Sequence, residues 1–322
     1  MQEQEQVVQK PKKSSMGSFR RNQLLFCWLW LIPPIITFAV FGFWAKVQTI
    51  IMAFQDYTGA FTLDNLKYFF EQMFSGDGTL LIGLKNTLTY FSVGLFIKFP
   101  FQMLIAYLIF KKVAGYKIWR YIFYFPAIIP NLAYCTVFKE IAKLEGVIEA
   151  VENAFGWDIV GKNLLMDPES VTFTVVIYGI WDGLGTNMLL FCGAMVRIPV
   201  ETLEASRLDG VGAFREFFQI ILPMMWPTLS TILLLQLTGI LGASGNLLLL
   251  VGQTSSFTMK AHTLSFWMFM QVLDTKGAMT GTYEAYRLYR VCGVGLMMTL
   301  IVTPFVLFMK WLFTEKLPQV EY

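Results

Sequence analysis

The chain has 322 residues and a formal net charge of +3, with 56% hydrophobic and only 15% charged residues. A typical soluble domain carries about 25% charged residues, so the composition excludes an ordinary soluble globular protein. The small net charge gives no indication of a nucleic-acid partner.

Apolar stretches of about 20 residues or more are long enough to cross a bilayer as helices. Six such stretches follow one another along the chain, at about 24–53, 84–110, 117–139, 171–197, 223–251 and 284–313. Strands of a membrane barrel would be short and alternating, which these segments are not. The predicted fold class is therefore an all-α integral membrane protein with six transmembrane helices.

The positive-inside rule orients these helices, because lysine and arginine gather in both tails and in the second and fourth connections. These cations are Lys10, Lys12, Lys13, Arg20, Arg21, Lys111, Lys112, Lys117, Arg120, Arg197, Arg207, Arg215, Lys310 and Lys316. We expect both termini in the cytoplasm. Arg287 and Arg290 run against the rule, since they lie at the outer end of the sixth span.

The predicted organisation follows from these spans. It comprises a cytoplasmic tail (1–22), a first transmembrane helix with an outer loop (23–83), a five-helix core (84–313) and a second cytoplasmic tail (314–322). The first span is too long for a cleaved signal peptide. Pro33 and Pro34 are expected to kink it, because each proline removes a helix hydrogen bond.

The loop 198–223, between the fourth and fifth spans, carries separate blocks in a fixed register. Glu204-Ala205-Ser206 is followed after three residues by Gly210, and after nine more by Ile220-Ile221-Leu222-Pro223. The pattern resembles the ATPase-coupling loop of the membrane subunits of binding-protein-dependent ABC importers. That family has Glu-Ala-Ala, three residues, Gly, nine residues, Ile, one residue and Leu-Pro. Ser206 departs from it, where the family usually has alanine.

A helix–bend–helix element is predicted for this loop. The first helix covers about 199–209, Gly210 and Gly212 provide the bend because glycine reaches unusual backbone angles, and a second helix covers about 213–222. Pro223 is expected to open the fifth span. An apolar stripe is predicted on the second helix, at Phe214, Phe217, Phe218 and Ile221.

Two interpretations of this element compete. It could rest at the lipid interface as an amphipathic elbow, with Glu204 and Arg207 as an i,i+3 pair. The resemblance instead implies docking to an ATPase, with Glu204 pairing with a cation there and Gly210 setting the bend. By resemblance, the coupling residues are Glu204, Ala205, Ser206, Gly210, Ile220, Leu222 and Pro223.

Polar residues inside the spans are the candidates for a translocation pathway, because charged groups rarely face lipid. Lys98 and Asp182 lie near the middle of their spans and could pair across the bundle or contact solute. Trp181 could stack on a sugar ring. The remaining candidates either bond a neighbouring helix or line the pathway, and they are Asn187, Gln236 and Asn246.

Other reactive side chains carry no predicted chemistry. Cys27, Cys135, Cys192 and Cys292 fall in apolar spans and are predicted to pack there. The lone His262 is predicted to lie on the surface of an outer loop. No phosphate-cradling GxxxxGK[ST] motif is present, so this chain is not expected to hydrolyse ATP. We predict no catalytic residue, no cofactor and no metal site.

The stretches Leu63–Tyr68 and Lys85–Leu88 also resemble the carbohydrate-uptake branch of ABC importers. That resemblance implies a second permease subunit forming a heterodimer, two ATPase subunits, an extracytoplasmic solute-binding protein and surrounding membrane lipid. It also implies a bacterial or archaeal cell membrane. The alternatives are the same machine moving another solute, or an ion-coupled secondary carrier that uses Asp182.

Overall fold

The computed structural model describes residues 15–74, 78–143, 163–242, 246–252, 260–277 and 282–316. Within those ranges the regular structure is helical, apart from one isolated antiparallel bridge between Gln55 and Phe61. The prediction of an all-α chain is confirmed.

The helices are numbered in chain order. They are α1 (Ser15–Thr37), α2 (Ala45–Ala53), α3 (Asp64–Phe74), α4 (Thr79–Val93), α5 (Phe99–Phe110), α6 (Tyr116–Ile128), α7 (Asn131–Ala142), α8 (Val171–Gly183), α9 (Met188–Val196), α10 (Val200–Leu208), α11 (Ala213–Glu216), α12 (Leu222–Met224), α13 (Trp226–Thr238), α14 (Leu247–Leu250), α15 (Leu264–Gly277) and α16 (Thr282–Trp311). Wider π-helical turns occur at Phe38–Trp44, Gly94–Lys98, Phe217–Ile221 and Leu312–Lys316, and a 3-10 turn at Ile240–Gly242.

Four continuous helical runs in the described ranges are long and apolar enough to cross a membrane. They are Gln23–Ala53, Thr79–Phe110, Val171–Val196 and Tyr286–Glu315, and they correspond to the first, second, fourth and sixth predicted spans. Two further pairs of helices qualify only if each bent pair counts as one span, which gives between four and six spans. The protein is therefore a helical chain with several membrane-length segments.

The third predicted span, 117–139, is not one continuous helix. It consists of α6 and α7, which meet at an angle of 105°. Ile129 between them is extended (φ −71°, ψ 140°), because the following Pro130 disfavours helical backbone in the residue before it.

The fifth predicted span, 223–251, is wrong as a continuous helix that opens at Pro223. Pro223 lies within α12, and α13 begins only after a bend of 74°. The helix then ends at Thr238, where Gly239 and the 3-10 turn follow. Glycine weakens helices, and Pro227 suits the first turn of a new helix, so both interruptions have a local cause.

Helix α3 packs on α16 through a glycine. A Cβ on Gly293 would lie 2.7 Å from the carbonyl oxygen of Asn65, so only glycine permits this approach. The buried Asn65 amide in turn donates to the carbonyl oxygen of Gln55 at 2.7 Å. The Arg290 guanidinium lies 4.7 Å from the ring centroids of both Tyr68 and Tyr286. This cation–π sandwich accounts for one of the two cations that run against the positive-inside rule.

His262 is buried, so its predicted surface position is wrong. Its side chain is 1% exposed, and Nε2 lies 2.8 Å from the carbonyl oxygen of Thr79 at the start of α4. The Asn86 amide on the same helix donates to the carbonyl oxygens of Lys260 and His262 at 2.7 and 2.9 Å. The segment containing His262 is thereby held against α4.

The cysteines behave as predicted with one exception. Cys135 and Cys292 are buried and Cys192 is half-buried, all as free thiols. Cys27 is exposed, like every side chain from residue 23 to residue 41. It does not pack inside this chain, because this part of the first run lies away from the other helices.

Candidate functional site

The first half of the loop 198–223 forms α10, within one residue of the predicted bounds. Pro199 stands just before it, and Leu203 and Ser206 face inward. Glu204 and Ala205 are exposed. The Ser206 hydroxyl is satisfied by the carbonyl oxygen of Leu203 at 2.8 Å. A serine is therefore accommodated where the resembling family has alanine.

Gly210 makes the bend, as predicted. Its φ is +71°, a left-handed conformation that favours glycine. Val211 N–H donates to the carbonyl oxygen of Ser206, and Gly210 N–H donates to that of Arg207. These two bonds make a Schellman cap, which stops α10 and redirects the chain.

The second half of the loop buries a different stripe from the predicted one. Phe217 and Ile221 are buried, whereas Phe214 and Phe218 are 79% and 48% exposed, with their ring centroids 4.6 Å apart. The π-helical turn at Phe217–Ile221 widens the winding, so the predicted 3.6-residue periodicity does not hold there. We call residues 199–225, which comprise α10, the bend and α11 to α12, the elbow.

The elbow is fixed to the end of α5 by a buried ion pair. Lys111 Nζ lies 2.7 and 2.8 Å from the two carboxylate oxygens of Glu216, whose side chain is 3% exposed. The Tyr107 hydroxyl donates to the carbonyl oxygen of Ala213 at 3.1 Å, and the Tyr107 ring lies 4.9 Å from that of Phe217. Glu216 is not among the residues that the sequence predicts to be functional, and Lys111 serves there only for orientation, because no single-sequence signal links two residues so far apart along the chain.

The remaining motif residues differ in exposure. Ile220 and Leu222 are half-buried and Pro223 is exposed. Glu204 and Arg207 do not form the i,i+3 pair of the lipid-interface interpretation, since neither belongs to an ion pair in the described part of the chain. Glu204 is therefore presented outward without an intramolecular charge partner.

A cavity of about 530 Å³ lies between the second, fourth and fifth apolar helices. It is bounded by apolar side chains and by a set of polar ones. Five of the six predicted pathway residues line it, namely Lys98, Asp182, Asn187, Gln236 and Asn246. The cavity is also lined by four polar residues that the sequence does not predict for the pathway, namely Tyr90, Gln102, Tyr178 and Thr186.

The two charged residues face this cavity without a direct ion pair. Lys98 and Asp182 are both half-buried, and no Lys98–Asp182 contact is among the ion pairs of the described residues. The Lys98 side chain lies over Gly183, where an added Cβ would be 2.8 Å from Nζ. The Lys98 side chain is therefore packed against α8 at Gly183, and Asp182 lines the same cavity.

Gln102 ties the walls of the cavity together. Its fully buried amide nitrogen donates to the carbonyl oxygen of Gly183, and its amide oxygen accepts from Asn187 Nδ2 at 3.3 Å. Asn187 thus bonds a neighbouring helix and also lines the cavity. Buried amides need such partners, because an unpaired polar group in an apolar interior is costly.

Asn246 closes another part of the wall. Its Oδ1 accepts from Asn131 Nδ2 at 2.9 Å, and the Tyr178 hydroxyl donates to Asn131 Oδ1 at 2.9 Å. Asn246 has φ +55°, which asparagine tolerates better than most residues. Tyr90 also lines the cavity, and its buried hydroxyl finds no partner among the described residues.

Trp181 lies apart from the other pathway candidates. Its ring centroid is 4.0 Å from that of Tyr134 and 5.8 Å from that of Phe138, and it is absent from the cavity lining. The structure therefore places Trp181 in an aromatic cluster between α7 and α8.

Comparison of the chain with known protein families identifies its family. The profile of one family, described as binding-protein-dependent transport system inner membrane component, matches residues 84–314. The chain belongs to this family. It is accordingly a multi-pass membrane protein and a component of a transport system rather than an enzyme.

Curated relatives agree with this family. The chain is similar to the probable ABC transporter permease protein YesP of Bacillus subtilis, with 30% identity over 67% of this chain and 70% of that protein. It is 24% identical to the multiple sugar-binding transport system permease protein MsmF of Streptococcus mutans, over 70% of this chain and 77% of that one. It is 27% identical to the arabinooligosaccharides permease AraP of Halalkalibacterium halodurans, over 70% and 71%.

A solved structure shares the fold. A chain of a bacterial ABC transporter involved in the import of the acidic polysaccharide alginate superposes with a TM-score of 0.72. The alignment covers 92% of this chain and 97% of that one at 22% identity. A likeness at that identity concerns the fold alone.

Proposed function

We propose that this family member is the transmembrane subunit of an ATP-driven importer and forms half of the translocation pathway for a carbohydrate. In this assembly the chain pairs with a second, different permease and with two ATPase subunits, and its elbow receives the nucleotide-driven motion of the ATPases. An extracytoplasmic binding protein delivers the solute. The observation that carries the proposal is the exposed Glu204, held on α10 ahead of the left-handed Gly210 in the family register.

The exposed face of the elbow supports docking to a partner. Glu204 and Ala205 lie open on α10, and Phe214 and Phe218 lie open after the bend. The opposite face is buried in the chain's own core through Leu203, so the exposed face is free to enter a cleft. A carboxylate paired with an ATPase cation would add a charge-assisted hydrogen bond to these apolar contacts.

The topology proposed with this function has six spans and both termini in the cytoplasm. The bent pair of α6 with α7 then counts as one crossing, and the bent pair Ala213–Met224 with Trp226–Thr238 supplies the fifth crossing, which the chain enters from the elbow. The elbow then lies on the cytoplasmic side, where ATP is present, because the positive-inside rule places its neighbouring cations there. Residues 84–313 form the five-helix core, and residues 23–83 add a first span and outer segment. The host membrane is a bacterial or archaeal cell membrane, with lipid against the exposed apolar first run.

The proposed solute class is a sugar or oligosaccharide. The named relatives include a multiple-sugar and an arabinooligosaccharide permease. The cavity offers amide, hydroxyl and charged groups, which suit the many hydroxyl groups of a sugar. The pathway residues are Lys98, Asp182, Asn187, Gln236 and Asn246. Trp181 is not proposed as a stacking platform, since it packs elsewhere.

Affinity purification from native membranes tests the assembly. An ATPase, a second multi-span permease and a solute-binding protein should copurify with the tagged chain. An ion-coupled carrier using Asp182 is the rival, and it has no use for an ATPase-docking elbow. Recovery of the chain without any ATPase, under conditions that preserve membrane complexes, would contradict the proposal.

A further inference from the structure

We propose that the Lys111–Glu216 ion pair carries elbow movement to the second apolar helix and so to the cavity. The inference rests on the proposed function, because it concerns how ATPase motion reaches the solute. Lys111 and Glu216 are positioning residues in this account, since neither touches the cavity.

The Lys111–Glu216 pair connects two distant segments of the chain. The ion pairs Lys67–Asp64 and Lys143–Glu140, by contrast, each join residues three apart in the chain and are exposed. Exposed pairs contribute little to stability. The Lys111–Glu216 pair instead joins residues 105 positions apart, with the Glu216 side chain 3% exposed. It therefore fixes two distant segments against each other.

The elbow also contacts the end of α5 through a hydrogen bond and a ring contact. The Tyr107 hydroxyl holds the Ala213 carbonyl oxygen, and Phe217 packs on the Tyr107 ring. Lys111 Nζ lies 5.9 Å from the centroid of that ring. Contacts of several kinds, gathered at one point, let the elbow and the end of α5 move together rather than slide.

The helical run that contains α5 is continuous from the elbow contact to the cavity. Residues Thr79–Phe110 form one uninterrupted run. The run carries Gln102, bonded to Gly183, and Lys98, which lines the cavity. At a rise of about 1.5 Å per residue, Lys98 lies roughly 20 Å along the axis from Lys111. A tilt imposed at the elbow end is thus felt at the cavity wall.

Charge exchange tests this role in the whole assembly. Lys111→Met and Glu216→Gln are compared with the double variant Lys111→Glu with Glu216→Lys, in proteoliposomes that contain the ATPases and binding protein. The readout is solute taken up per ATP hydrolysed. We expect each single variant to lower that ratio about fivefold or more, as for a lost coupling between sites. The exchanged pair should restore most of it.

Matched controls come from the exposed pair on α3. Lys67→Met and Asp64→Asn remove one charge each from an ion pair that does not touch the elbow, so the ratio should stay at the wild-type value. Single Lys111 or Glu216 variants that assemble and keep the wild-type ratio would overturn the inference.

A second variant covers the case in which the single changes fail to assemble. Lys111→Met with Glu216→Leu removes both charges, so no unpaired charge is buried. A low uptake per ATP in this assembled variant supports the coupling role. A wild-type ratio overturns it and leaves the pair structural. Failure of the proposed function is distinguishable, because the wild-type assembly itself would then show no ATP-dependent uptake.

Discussion

Lys98 lies directly over Gly183, so that the side chain of one residue fills the place where the other would carry a Cβ. That Cβ would be 2.7 Å from Lys98 Cδ and 2.8 Å from Nζ. Lys98 lines the cavity, and the missing side chain at Gly183 leaves the space that the Lys98 side chain occupies.

Gly183→Ala should displace the Lys98 ammonium and weaken solute uptake while the protein still folds. Driving a side chain off its rotamer costs about 0.5–1.5 kcal/mol. We expect the apparent solute affinity to fall about 2- to 12-fold, measured as the concentration dependence of uptake. Gly179→Ala is the control, since it lines the same cavity and a Cβ there meets nothing within 4 Å. Equal losses in both variants would show that Lys98 placement is not the cause.

Glu204→Ala should weaken association with the ATPase while membrane insertion stays normal. Removing one side of a charge pair that docking buries typically costs about 3–5 kcal/mol. The measurement is ATPase recovered with the tagged chain, together with uptake. Glu201→Ala, an exposed carboxylate on the same helix, is the control and should have a smaller effect. Unchanged recovery and uptake in Glu204→Ala would remove the docking role.

Gly210→Ala should disturb the bend between the two halves of the elbow. Its φ of +71° is left-handed, which costs an alanine about 1–2 kcal/mol. Gly212 has an ordinary φ of −69°, and a Cβ there would meet nothing within 4 Å, so Gly212→Ala should be tolerated. Coupled uptake and ATPase recovery in the two variants decide the question. A Gly210→Ala protein indistinguishable from Gly212→Ala would mean that the bend does not matter.

Gly293→Ala should separate α3 from α16. Its Cβ would lie 2.7 Å from the carbonyl oxygen of Asn65, which is backbone and cannot swing aside. Overpacking of this kind costs about 1–3 kcal/mol, and thermal unfolding of the detergent-solubilised protein should report it. Gly295→Ala, with its nearest atom at 3.9 Å, should unfold close to the wild-type temperature. A wild-type midpoint for Gly293→Ala would contradict the close approach.

The sequence predicts this fold best where one local signal suffices. Long apolar runs locate four spans, and the Gly210 bend follows from the conformational freedom of glycine. It fails where a tertiary contact decides. The sequence predicts a surface position for His262, because none of its sequence neighbours indicates the contact with the Thr79 carbonyl oxygen. The break after Thr238 is a different case: it has a local cause in Gly239, but isolated glycines are tolerated inside helical patterns, so the sequence alone does not predict it.

In the candidate site too, some residues are predicted by local sequence signals and others only become apparent from tertiary contacts. The motif places Glu204 on an exposed helix, and intramembrane polarity selects most of the cavity lining. The sequence predicts Trp181 for the pathway because it stands beside Asp182. Successive helical residues face different directions, however, and the Trp181 ring packs on Tyr134. Glu216 escapes detection, because its partner Lys111 lies on another helix.

The most direct test of the central claim is uptake by the reconstituted assembly under controlled gradients. The account predicts that solute moves only with ATP on the elbow side and binding protein on the other. Dissipating the proton and sodium gradients with ionophores should leave the initial rate intact. Uptake by this chain alone, abolished by an ionophore and indifferent to ATP, would contradict the account and direct attention to Asp182 as the site of a coupling ion.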